Sequence, residues 1–64
     1  MTKKFKMGYE MARNDLEAAA PEKNGKSIRK ACKETIYEFH TNEEIFNGIC
    51  EAMFDYENGN DWKF

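Results

Sequence analysis

Proline, histidine and tryptophan each occur once in this 64-residue chain, and cysteine twice. A single proline, Pro21, leaves long stretches on either side free to be helical. A single histidine, His40, leaves one side chain that titrates near neutral pH. Cys32 and Cys50 lie in no CxxC pair, a disulfide framework would be denser, and no segment resembles a secretory signal, so none is expected. Both cysteines read as small buried hydrophobes in a reducing compartment. No apolar run approaches the ~20 residues that cross a bilayer. The expectation is a cytoplasmic protein with no membrane segment.

The usual catalytic signatures are missing as well. There is no Gly-rich phosphate loop, no GxSxG and no HExxH. Cys32 and His40 stand eight residues apart on one expected helix, about 12 Å along its axis at 1.5 Å per residue, too far for a nucleophile–base pair. Cys50 meets His40 across a corner at best, and His40 fits better as a C-terminal helix residue, favourable to the dipole. Glu51, Asp55 and Glu57 read as a solvated helix end rather than a carboxylate site. So short a chain has little volume for a substrate cleft. The expectation is no enzyme, no catalytic residue, no cofactor and no metal.

What is present is an apolar fraction of 41%, with 14% aromatic residues. That is enough for a compact core and too much for a disordered chain. A domain of this size buries only about 60% of the surface its unfolded chain exposes, so its stability margin is small.

The apolar spacing is helical. Phe5, Tyr9, Ala12, Leu16 and Ala19 share one stripe, which predicts a first helix over about 3–20, closed by Pro21. Phe5, Met7 and Tyr9 also alternate with period two, so a short strand is the competing reading there. The segment 21–26 is a joint with an Asn24-Gly25 turn. Ile28, Cys32, Ile36 and Phe39 predict a second helix over about 27–40 with Ser27 as N-cap. Thr41 and Glu44 fit a capping box. Ile45, Ile49, Ala52, Met53 and Tyr56 then give a third helix over about 42–57, ended by Asn58-Gly59. The fold class expected is all-α: one compact three-helix domain, with a sharp corner between the second and third helices and an aromatic tail over 58–64.

The third helix is apolar over a wider arc than a core needs. Phe46, Cys50 and Phe54 continue along a second line, and Met7, Met11 and Ala18 form a smaller one on the first helix. Either Trp62 and Phe64 fold back across Phe46 and Phe54, or another chain covers them.

The net charge of −2 also hides a polarity. Residues 1–40 carry nine Lys/Arg against six Asp/Glu, and residues 41–64 carry one Lys against six acids. Arg29, Lys30 and Lys33 gather beside Tyr37 and His40, led in by Lys26, on the side expected to lie opposite Glu34 and Glu38. Glu44, Glu51 and Asp55 lie together on the third helix.

Three functions follow. The first is a small protein-binding modulator or inhibitor that occupies a partner surface, such as a basic nucleic-acid-binding one, through Phe46, Cys50, Phe54, Glu51, Asp55, Trp62 and Phe64. Many regulators and phage- or plasmid-encoded inhibitors have this size, which is a prior from length alone. The second is a nucleic-acid-binding regulator using Lys26, Arg29, Lys30, Lys33 and Tyr37. The third is a subunit of a homo-oligomer, such as a homodimer, with Phe46 and Phe54 at the contact.

Overall fold

The structure, a computed structural model, describes residues 2–64. The described residues form four helices and no strand: α1 (Lys3–Ala19), α2 (Gly25–Ala31), α3 (Lys33–Phe39) and α4 (Glu43–Asn58). The all-α class is as expected; the helix count is four rather than three.

α1 starts where the Thr2 hydroxyl accepts from the Phe5 N–H at 3.1 Å. Residues 5–9 lie inside this helix, so the strand reading fails there. Tyr9 is fully buried and Phe5 half-buried, while Met7 is exposed. That is spacing by four, not by two. Ala20 takes a left-handed conformation (φ 44°) and its N–H donates to the Leu16 carbonyl, which ends the helix before Pro21.

The expected second helix is divided at Cys32, whose φ of −99° and ψ of 11° depart from helical values. Hydrogen bonds still span the joint, from Cys32 N–H to the Ile28 carbonyl and from Ile36 N–H to the Cys32 carbonyl. The chain therefore bends rather than stops, and Ile28, Cys32, Ile36 and Phe39 all meet one core. Its N-cap is Asn24, not Ser27. The Asn24 side chain accepts from the Ser27 N–H at 2.9 Å. The N-cap of α4 is likewise Asn42, not Thr41, accepting from the Ile45 N–H at 3.2 Å. In both places an amide oxygen one turn ahead satisfies a free helix donor.

Asn58-Gly59 does end α4. Gly59 is left-handed (φ 70°). Its N–H donates to the Tyr56 carbonyl and the Asn60 N–H to the Asp55 carbonyl, the paired bonds of a Schellman motif.

The core joins Tyr9, Ala12 and Leu16 of α1 to Ile45, Ile49 and Ala52 of α4, with Ile28 and Cys32 closing one side. Ile45 lies against Gly8 near the start of α1, and Tyr56 reaches the Pro21 carbonyl beyond its end at 2.6 Å. The two long helices thus run in the same general direction, and α2–α3 carries the chain back between them. Their backbones meet at two glycines. A Cβ at Gly8 would stand 2.0 Å from the Ile45 carbonyl oxygen, and one at Gly48 2.0 Å from that of Phe5. Glycine is needed here for close approach rather than for a special φ.

Candidate functional site

Two places on this fold gather the candidate side chains. The first is the outer face of α2–α3. An open groove of about 840 Å³ is lined by Ile36, Tyr37 and His40 together with Arg29, Lys33, Glu34 and Glu38. Tyr37 is 80% exposed, and its carbonyl stands 2.8 Å from His40 Nδ1. Arg29 also borders a smaller hollow against α4, shared with Ile28, Cys50, Met53, Phe54 and Glu57. Phe54 is 56% exposed. So Arg29, Lys33 and Tyr37 of the expected basic flank do come together, but with Glu34 and Glu38 among them. Lys26 and Lys30 are exposed on α2 and line neither surface. Cys50 and Phe54 share the hollow; Phe46 is half-buried and outside it.

The second place is the cleft between α1 and α4 that the tail fills. Here two expectations are corrected. Trp62 and Phe64 do not cover Phe46 and Phe54. Trp62 stacks on Tyr56 with ring centroids 6.2 Å apart and meets Tyr9 edge-on at 6.2 Å. Phe64 meets Tyr9 edge-on at 5.2 Å, with the Lys6 ammonium 5.5 Å from its ring. The Schellman turn at Gly59 sends the chain toward α1, away from the second apolar line of α4.

Asp55 is the other correction. It was expected on a solvated acidic face, and it is fully buried. It follows Ala52 by three residues and Gly48 by seven, so it lies on the inward stripe. The Tyr9 hydroxyl donates to one oxygen at 2.6 Å, Lys63 Nζ to both at 2.9 and 3.2 Å, and Asn60 Nδ2 to the other at 3.2 Å. Lys63 Nζ also pairs with Glu51 at 2.9 Å, so Glu51 too is engaged within the chain.

Burial pushes the Asp55 carboxyl up, but hydrogen bonds from three side chains, Tyr9, Lys63 and Asn60, and the Lys63 charge outweigh it and hold the carboxyl below its ordinary value. Donating to Glu51 and then to Asp55 raises the Lys63 ammonium. Burial, then the hydrogen bond to Asp55, raises the Tyr9 phenol. All three shifts favour the protonation states present at neutral pH.

The cysteines stand apart. Cys32 is buried with its thiol 3.9 Å from the Ala12 carbonyl, and burial with the nearby Asp15 charge pushes it up to about 12. Cys50 is half-buried and is also raised by burial. Neither has the lowered pKa of a reactive thiol. Among the described residues no three His, Cys, Asp or Glu side chains are grouped to hold a metal ion. No helix among them is long and apolar enough to cross a membrane.

The residues missed from sequence are Tyr9 as a hydroxyl donor, Lys63 as a buried-charge partner, and Gly8 and Gly48. Comparison with known proteins gives no match to any family model, curated protein or solved structure.

Proposed function

We propose that this protein binds another protein and acts by occupying its surface, as a small modulator or inhibitor. The observation that carries the reading is the α2–α3 groove, an apolar concavity with an exposed Tyr37 at its edge. Tyrosine and arginine anchor many protein interfaces. Charges of both signs flank the groove, Arg29 and Lys33 against Glu34 and Glu38. Such a pattern suits a protein partner better than a phosphate backbone, which the two glutamates repel. Phe54, reached across Arg29, supplies a second anchor. Glu51 and Asp55 leave the binding set because they hold Lys63.

A second reading has one observation in its favour. Arg29, Lys33 and Tyr37 line the same groove, and an exposed ring beside cations is a platform for a nucleic-acid base.

The test is a pulldown from native cell extract with wild-type bait and with Tyr37→Ala/Phe54→Ala bait, each with and without nuclease. The expected result is a protein retained after nuclease by wild type and reduced at least about tenfold by the double variant. Retention lost on nuclease treatment would promote the nucleic-acid reading. Retention equal for both baits would remove this surface from the function. Size exclusion of both forms reports whether the partner is a second copy.

A further inference from the structure

We propose that the α1–α4 cleft is a binding site for an aromatic–lysine–aromatic peptide segment, and that residues 62–64 are its internal, displaceable occupant. Three tail residues make a full set of recognition contacts, each to α1 or α4. The first aromatic, Trp62, sits against Tyr9 and Tyr56. The lysine ammonium sits between Asp55 and Glu51 at 2.9 Å from each. The second aromatic, Phe64, lies at the edge of Tyr9 and under Lys6. The main chain is read as well. The Lys63 N–H donates to the Tyr9 hydroxyl at 2.9 Å, and Arg13 donates to the Phe64 main-chain oxygen. Tyr9 is therefore a relay: it accepts from the segment and donates to Asp55.

The walls of the site belong to the two long helices. The backbones of α1 and α4 meet directly at Gly8–Ile45 and Gly48–Phe5, and Trp62 and Phe64 pack against the core that these helices form. Removing the segment leaves the Asp55 carboxylate facing water, where it is solvated, rather than orphaned in a closed core. The geometry also sets the selectivity. Two carboxylates 2.9 Å from one ammonium demand a cation at the middle position, and a glutamate there would meet both of them.

The test uses the full chain carrying Lys63→Glu, which turns the tail against its own cleft. Trp62 is the single tryptophan, so its emission reports docking directly. The expected result is unchanged far-UV circular dichroism with a red-shifted Trp62 emission. A dye-labelled Asn-Asp-Trp-Lys-Phe peptide then binds this variant at least about tenfold more tightly than wild type, whose tethered tail competes at an effective concentration in the millimolar range. The peptide Asn-Asp-Trp-Glu-Phe binds neither. A folded variant with a released tail that ignores the lysine peptide would overturn the proposal. Where Lys63→Glu loses its helix, amide exchange of the wild type decides instead. A displaceable tail gives a Lys63 amide exchanging at least about tenfold faster than Ile49. Equal protection would mean that the tail leaves only with global unfolding, and the proposal falls.

Discussion

Gly48→Ala isolates the contact that sets the spacing of the two long helices. On an exposed helix this change stabilises by roughly 1 kcal/mol, because alanine is the better helix former. At Gly48 the new Cβ would stand 2.0 Å from the Phe5 carbonyl oxygen and 2.8 Å from the Tyr9 nitrogen. Both are main-chain atoms, so no side-chain rotation relieves the clash. A clearance of 3.0 Å, the least that real Cβ atoms show, requires the helices to part by about 1 Å along that contact. Parting there also separates Ile45, Ile49 and Ala52 from Tyr9 and Ala12. Overpacking of this kind costs typically 1–3 kcal/mol, and a main-chain clash belongs at the upper end. After the propensity gain, the expected net loss is about 2 kcal/mol, a fall of roughly 8–16 °C in melting temperature for a domain of this size. Urea unfolding followed by circular dichroism measures it. Gly25→Ala is the control. Its Cβ would meet only the movable end of Arg29 at 3.0 Å, so its stability should lie within about 0.5 kcal/mol of wild type. If Gly48→Ala proved as stable as wild type, the close backbone contact would not be what holds α1 to α4.

The pH profile of stability should have two flanks. The folded Asp55 pKa lies below 3.8, so its contribution is present above that value and is lost as pH falls through the folded pKa. The folded Lys63 and Tyr9 values lie above 10.5 and 10.0, so theirs are present below those values and lost as pH rises through the folded ones. Urea midpoints measured across pH should be level near neutrality, and Asp55→Asn should make the acid flank shallower; an unchanged flank would mean that Asp55 is not held as described. A thiol reagent at pH 8 should modify half-buried Cys50 first and Cys32 only on unfolding, and simultaneous labelling would contradict the burial of Cys32.

Much of the fold is legible as periodicity. The i, i+4, i+8, i+11 run of Ile28, Cys32, Ile36 and Phe39 points to one core even though the helix bends within it. The stop at Gly59 follows from its tolerance of positive φ. The caps were misplaced by one residue at Asn42 and by three at Asn24, because Ser, Thr and Asn offer the same acceptor and only the chain's direction chooses among them. Asp55 was misread because its charge outweighed its place on the inward stripe. A carboxylate on such a stripe needs a partner, and the cation that supplies it is Lys63, just eight residues on. Gly8 and Gly48 carry a signal of their own in the sequence. Each precedes an alanine by four residues, Ala12 and Ala52, and a glycine inside a helical pattern is a penalty that close packing explains. The α2–α3 groove had no signal of its own, since it arises from the bend at Cys32 and from what α3 leaves uncovered.

The same-direction pairing of α1 and α4 has a kinetic consequence. Helices joined by a tight turn can dock as soon as both form, but these two are separated by the whole α2–α3 passage. The Tyr9–Asp55 bond spans 46 residues. Closing a loop of that length costs entropy that grows as about (3/2)RT ln n, and it must be spent before any core contact between the long helices is gained. An all-helical chain of this size would ordinarily rank among the fastest folders, whose contacts are local. The meeting of the two distant helices is therefore the expected rate-limiting event, and stopped-flow folding should be slower than in helical domains with local contacts; a rate as fast as theirs would refute this.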